Sequence, residues 1–84
     1  MTTAIDKPTD RQLELLAHLC AGLNIAEAAG KIFVTERTAY NMMGETRRKV
    51  GAGSTEQLVV IAFQEGWLII GDEGKVIVDT DFSL

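Results

Sequence analysis

The sequence predicts a mainly α protein, four helices followed by a short C-terminal β-hairpin. Three observations carry that expectation. Hydroxyl or amide side chains, Thr9, Asn24, Thr35 and Ser54, stand just ahead of apolar residues at helical spacing. There they accept hydrogen bonds from the first free N–H groups of a helix. Gly22, Gly51 and Gly66 stand where three of those patterns stop, the usual place for a left-handed residue. After Gly66 the pattern changes from helical to β, with β-branched residues gathered in "WLII" and "KVIV".

The first helix opens on a capping box, Thr9-Asp10-Arg11-Gln12, in which the Thr9 and Gln12 side chains each accept from the other's backbone N–H. Leu13, Leu16, Ala17 and Cys20 follow at helical spacing, and Gly22 is the stop. A second box, Asn24 with Glu27, opens a short helix through Ala28, Ala29 and Ile32. Thr35 caps the third helix, where Ala39, Met43, Thr46 and Val50 share one face at i, i+4, i+7 and i+11, and Gly51 ends it. Ser54 with Gln57 caps the fourth, which runs to Gln64 or Glu65 before Gly66. "WLII" and "KVIV", joined by "GDEG", form the expected hairpin. A hairpin is marginal alone, so it packs on the helices or pairs with another copy.

A chain of 84 residues holds one small domain and buries a smaller fraction of its surface than a larger one does. Hydrophobic residues make up 46% and charged residues 24%, the balance of a folded domain rather than a disordered one. Cys20 is the only cysteine, so no internal disulfide forms. The N-terminus "MTTAIDKPTD" lacks the pattern of a signal peptide, and no apolar run approaches the length of a membrane span. A cytoplasmic protein with no membrane partner is expected.

The net charge of -4 is unevenly spread. Residues 71–84 carry Asp72, Glu73, Asp79 and Asp81 against Lys75 alone, whereas residues 8–70 are near neutral. The densest positive cluster is Arg47, Arg48 and Lys49, with Arg37 about three helical turns earlier. Distribution, not the total, decides which partner such a surface meets.

No catalytic constellation emerges. His18 and Cys20 are two residues apart on a helix and point to different faces, with no second pair for a metal; Cys20 reads as a small buried apolar residue. Ser54 and the threonines read as caps, without a base at triad-like spacing. "GDEG" lacks the spaced oxygen ligands of a calcium loop. Met42 and Met43 read as core or adaptable surface, and Gly44 costs its helix about 1 kcal/mol relative to Ala. Neither an enzyme, a metal site, a cofactor nor a small-molecule ligand is expected. One segment, "LVVIAF", is apolar all round its helix, more than a small monomer covers. Part of it is expected to face another subunit or the hairpin; of the two a homodimer is favoured, with Val59, Val60, Ile61 and Phe63 as its surface.

A short helix, a tight turn and a longer helix is the helix-turn-helix arrangement, in which one helix fits the major groove while its neighbour braces it. The turn "KIFVTER" puts a hydroxyl residue at the start of the second of these helices, whose N–H groups and dipole can face a phosphate. Arg37 and Asn41 lie one turn apart near that start, and such side chains contact guanine and adenine edges through two hydrogen bonds. Arg47, Arg48 and Lys49 suit the phosphate backbone, and Tyr40 can stack or hydrogen-bond to it. The outline is one domain over residues 8–68, a flexible N-terminus at 1–7, and a hairpin with an acidic tail at 69–84.

Residues 8–68 resemble the LuxR-type, or GerE-type, helix-turn-helix domain, in register and without gaps. "TDRQLELL" is similar to that family's opening helix, and "AGLNIAEAAGKIFVTERTAYN" to its next helix, turn and reading-helix start. "RRKVGAGSTEQLVVIAFQEGWL" is similar to its Lys-Leu-Gly close and fourth helix. The resemblance implies a third helix that reads double-stranded DNA and a fourth that forms a dimer contact. By position it implies Thr35, Arg37, Thr38, Asn41, Lys49 and Ser54 as DNA-facing. Ala26, Tyr40, Met42 and Thr55 stand where the family commonly has Lys, Lys, His and Arg. Each change removes a charge or donor, and affinity falls with lost phosphate contacts.

The function expected from this is a sequence-specific transcriptional regulator acting as a dimer on a pseudo-palindromic site. Family members usually carry a receiver or ligand-sensing domain ahead of this one. The seven residues before Pro8 are too few for either, so a stand-alone protein controlled by its abundance is expected. The alternative is a degenerate helix-turn-helix that binds another regulatory protein and sequesters or modulates it.

Overall fold

The computed structural model describes residues 6–71 and 74–78. It contains α1 (Asp10–Cys20), α2 (Ile25–Lys31), α3 (Glu36–Val50), α4 (Thr55–Gln64), β1 (Leu68–Ile70) and β2 (Val76–Val78). The acidic residues Asp72, Glu73, Asp79 and Asp81, and the N-terminal five residues, lie outside the described residues.

All four caps expected from the sequence are made. Thr9 Oγ1 accepts from the Gln12 N–H at 3.2 Å while Gln12 Oε1 accepts from the Thr9 N–H at 2.9 Å. Asn24 and Glu27 make the same reciprocal pair at 2.8 and 2.9 Å. Ser54 Oγ accepts from the Gln57 N–H at 3.1 Å, but Gln57 Oε1 turns to the Gly53 N–H at 2.6 Å. The fourth cap thus ties in the residue before it instead of closing a reciprocal box.

The core sits where the helical faces converge. Leu13, Leu16 and Ala17 of α1, Ala28 and Ala29 of α2, Ala39, Met43 and Val50 of α3, and Leu58 and Ala62 of α4 are all buried. Thr46, the polar member of the buried α3 face, donates its hydroxyl to the Met42 carbonyl at 2.6 Å, which removes the cost of an unpaired buried hydroxyl. One α1 residue is buried without the sequence having marked it, and one α1 expectation needs correction. Leu15 is fully buried although it lies off the Leu13–Leu16 stripe; α1 packs against α2, α3 and β2 together, so its apolar belt is wider than one stripe. Cys20 is only half-buried, because it closes the helix at the edge of that packing.

The strands pair antiparallel, with Leu68 opposite Val78, Ile69 opposite Ile77 and Ile70 opposite Val76. Trp67, read as the first strand residue, instead belongs to the α4 terminus, where its N–H reaches the Ala62 carbonyl at 2.9 Å. The hairpin packs on α1 and α4, so it completes the same core. Among the described residues no helix is long and apolar enough to cross a membrane.

Candidate nucleic-acid interface

The two central helices, α2 and α3, pack together through a turn of four residues, Ile32, Phe33, Val34 and Thr35. The α2 end is a Schellman close: the Phe33 N–H donates to the Gly30 carbonyl at 3.3 Å and the Val34 N–H to the Ala29 carbonyl at 3.0 Å. That geometry puts Phe33 in the left-handed region, at φ 62°, with its side chain 90% exposed. Nothing in the sequence reading singled out Phe33. The signal available was its place, one residue past Ile32, the buried apolar residue that caps α2.

Thr35 then starts α3. Its Oγ1 accepts from the Thr38 N–H at 3.1 Å and donates to Thr38 Oγ1 at 3.0 Å. The Thr35 hydroxyl proton is thereby engaged inside the protein, whereas the Thr38 hydroxyl keeps its own proton to offer outward. Ser54, the other hydroxyl expected to face DNA, accepts within the α4 cap and likewise keeps its proton.

The buried residues Ala39, Met43, Thr46 and Val50 define the inner side of α3. At about 100° per residue, Arg37, Asn41, Gly44 and Arg48 fall within about 60° of one another on the opposite side. Arg37, Asn41 and Arg48 are exposed. Gly44 leaves the middle of this line without a side chain, and a Cβ there would lie 3.5 Å from Arg48 Nη1, an ordinary contact. The run Arg47-Arg48-Lys49 does not form a single cluster. Arg48 is on the outer line, and Arg47 and Lys49 sit about 160° apart on its two flanks, with Arg47 half-buried and Lys49 exposed. Tyr40, 59% exposed, shares the Arg47 flank; Thr38 shares the Lys49 flank. Glu45, not considered in the sequence reading, borders the line on the Lys49 side and dilutes its charge.

Even so, α3 holds four of the chain's eight basic residues and only two of its twelve acidic ones. The positive charge is concentrated on one helix of an acidic molecule. The acidic residues of α3 are Glu36, in its first turn, where it complements the helix dipole, and Glu45.

The expected dimer residues separate into two groups. Val59, Ile61 and Phe63 are half-buried and pack against the core, whereas Val60 is 54% exposed. Leu58 and Ala62 hold α4 to the rest of the fold, so the helix is less uncovered than its composition suggested. Ile69, Ile70 and Ile77 of the hairpin are also exposed. Among the described residues no three His, Cys, Asp or Glu side chains gather as a metal site, and every buried side-chain N or O atom has a hydrogen-bond partner. Burial raises the pKa of the Cys20 thiol above its ordinary 9.0. No family model matches the chain, and no curated protein matches it.

Proposed function

We propose that this chain is a DNA-binding transcriptional regulator of the LuxR-type helix-turn-helix kind, acting as a two-fold dimer. The observation that carries this reading is the outer side of α3, where Arg37, Asn41 and Arg48 stand exposed in one line opposite the core. The line runs the length of the helix, as a major-groove helix requires. Arg37 and Asn41 offer two-pronged contacts to guanine and adenine. The flanking Arg47 and Lys49 reach the phosphates on the two sides of the groove, and the backbone N–H groups near Thr35 supply a further phosphate contact. The sequence resemblance over residues 8–68 supports the same reading, and so does the concentration of basic residues in α3.

The test is fluorescence anisotropy of the purified protein against a random-sequence duplex pool, at low and then moderate salt. With two phosphate-binding cations per protomer, Arg47 and Lys49, log affinity is expected to fall with log salt at a slope of about -2 per protomer. Absence of binding at low salt sinks the reading.

A second reading, a module that binds another regulatory protein, is favoured by the exposed apolar residues Val60, Ile69, Ile70 and Ile77. The two separate at Val60. Because Val59 and Ile61 are half-buried, a charge there damages the fold under either reading, whereas Val60→Glu tests the surface alone. Under the partner reading this change abolishes capture and Arg48→Ala leaves it intact.

A further inference from the structure

We propose that Arg11, on α1, is a positioning residue for the reading helix, an inference that rests on the DNA-binding reading above. Its guanidinium Nη2 donates to the Ile32 carbonyl at 2.9 Å, a bond between residues twenty-one apart in sequence. The other side-chain hydrogen bonds among the described residues span three or four positions. Among the described residues, Arg11 alone therefore reaches from one helix to the end of another through a side-chain hydrogen bond.

The place it holds is the start of the turn between α2 and α3. At seven residues, with Gly30 inside it, α2 is too short to be stable by itself. The next residue, Phe33, is in the left-handed region without being glycine. The Ile32 carbonyl is the α2 C-cap, and no backbone N–H among the described residues donates to it. Arg11 thus satisfies an open carbonyl at the negative end of the α2 dipole with a cation. It does so on the residue that begins the turn into α3. The angle of α3 to α2 is set in that turn, and direct readout of bases tolerates only small errors of placement. Losing the bond lets the turn sample other conformations while the apolar core of α1 stays intact.

Two roles compete with positioning. Arg11 is exposed, and the competing roles are an ordinary phosphate contact and a brace that serves stability only. Arg11→Met and Arg11→Lys separate them, each measured on a duplex selected by the wild-type protein and on the random pool. For Arg11→Met the preference for selected over random duplex is expected to narrow about tenfold, with the salt slope unchanged and part of the preference restored by Arg11→Lys. A slope reduced by about one with the preference retained makes Arg11 a phosphate contact and overturns the proposal. A lowered Tm with the preference retained makes it a stability brace and does the same. Amide hydrogen exchange on the free protein gives a readout independent of DNA. Phe33 and Val34, whose N–H groups close the α2 end, are expected to exchange faster in Arg11→Met while α4 keeps its protection; uniform change, or none, overturns it. If the wild-type protein binds no duplex, the DNA reading fails and positioning for DNA fails with it. The exchange pattern then still tells whether Arg11 holds the turn.

Discussion

The C-termini of α4 and α2 are closed by the same two hydrogen bonds and by opposite choices of residue. In α4 the Gly66 N–H donates to the Phe63 carbonyl at 3.2 Å and the Trp67 N–H to the Ala62 carbonyl at 2.9 Å, with Gly66 at φ 78°. The first helix repeats this with Gly22. In α2 the equivalent left-handed residue is Phe33. A side chain at such a φ costs about 1–2 kcal/mol that glycine avoids, and at 90% exposure the Phe33 ring recovers none of it by burial. The surroundings, the Arg11 bond to Ile32 among them, hold the chain in that conformation. The unfavourable residue stands at the joint that aims α3, where stored strain commonly accompanies function. The two ends that only close the fold are relaxed.

The largest effect is expected from making the relaxed end resemble the strained one. A β-branched residue at φ 78° gains nothing in return, since open space surrounds a Cβ at Gly66. Gly66→Val is therefore expected to destabilise the protein by about 2 kcal/mol. The single tryptophan, Trp67, is buried beside this end, so its fluorescence in a urea titration follows the loss directly. An unchanged midpoint means that Gly66 is not required for its conformation and removes the contrast.

The converse change relaxes the strained end. Phe33→Gly is expected to stabilise the fold by about 1 kcal/mol, the left-handed cost recovered less the extra freedom of glycine in the unfolded chain. The same titration decides it. If Phe33→Gly destabilises, the ring contributes something its exposure does not suggest, and the α2 end is not strained.

How far the sequence carried this picture differs between those ends. Gly22, Gly51 and Gly66 announced three helix ends because glycine after an apolar pattern is a specific signal. The α2 end carries no such residue, and its boundary had to be taken from Ile32. Caps were legible because the pairs Thr9–Gln12 and Asn24–Glu27 are local and chemically distinctive. The inner face of α3 was legible because its period is undisturbed. Leu15 was not, because α1 is covered by α2, α3 and β2 together, all of them later in the chain. The outer line of α3 was partly legible. Arg37 and Asn41 were placed together, but reading "RRK" as one patch overlooked that consecutive residues fan around a helix. Arg11 could not be found at all, since its partner is a backbone carbonyl twenty-one residues away.

A third glycine sharpens the contrast by being the reverse of Gly66. Gly44 lies inside α3, where glycine costs about 1 kcal/mol relative to alanine. An alanine Cβ would meet only Arg48 Nη1, at 3.5 Å. Gly44→Ala is expected to raise stability by slightly less than 1 kcal/mol in the urea titration. On DNA it is expected to weaken binding to the selected duplex, because its methyl group stands on the outer line between Asn41 and Arg48. Unchanged affinity with raised stability would mean that this part of α3 does not approach the groove.

The smallest effect belongs to the α1 end, where Cys20 is the last helical residue before the Gly22 close. Burial raises its thiol pKa above 9.0, so the folded protein holds the thiol proton more tightly than the unfolded chain does. The sign follows from that. The associated stability is fully present below pH 9.0 and is lost as pH rises through the higher folded-state value. Cys20→Ala removes the thiol and leaves the rest of the chain unchanged. The wild-type Tm is therefore expected to fall slightly more steeply than that of Cys20→Ala above pH 9.0, and to run parallel to it below. Parallel curves throughout would show that the α1 end opens enough for water to reach the thiolate, and that the glycine-closed ends are looser than the comparison with Phe33 implies.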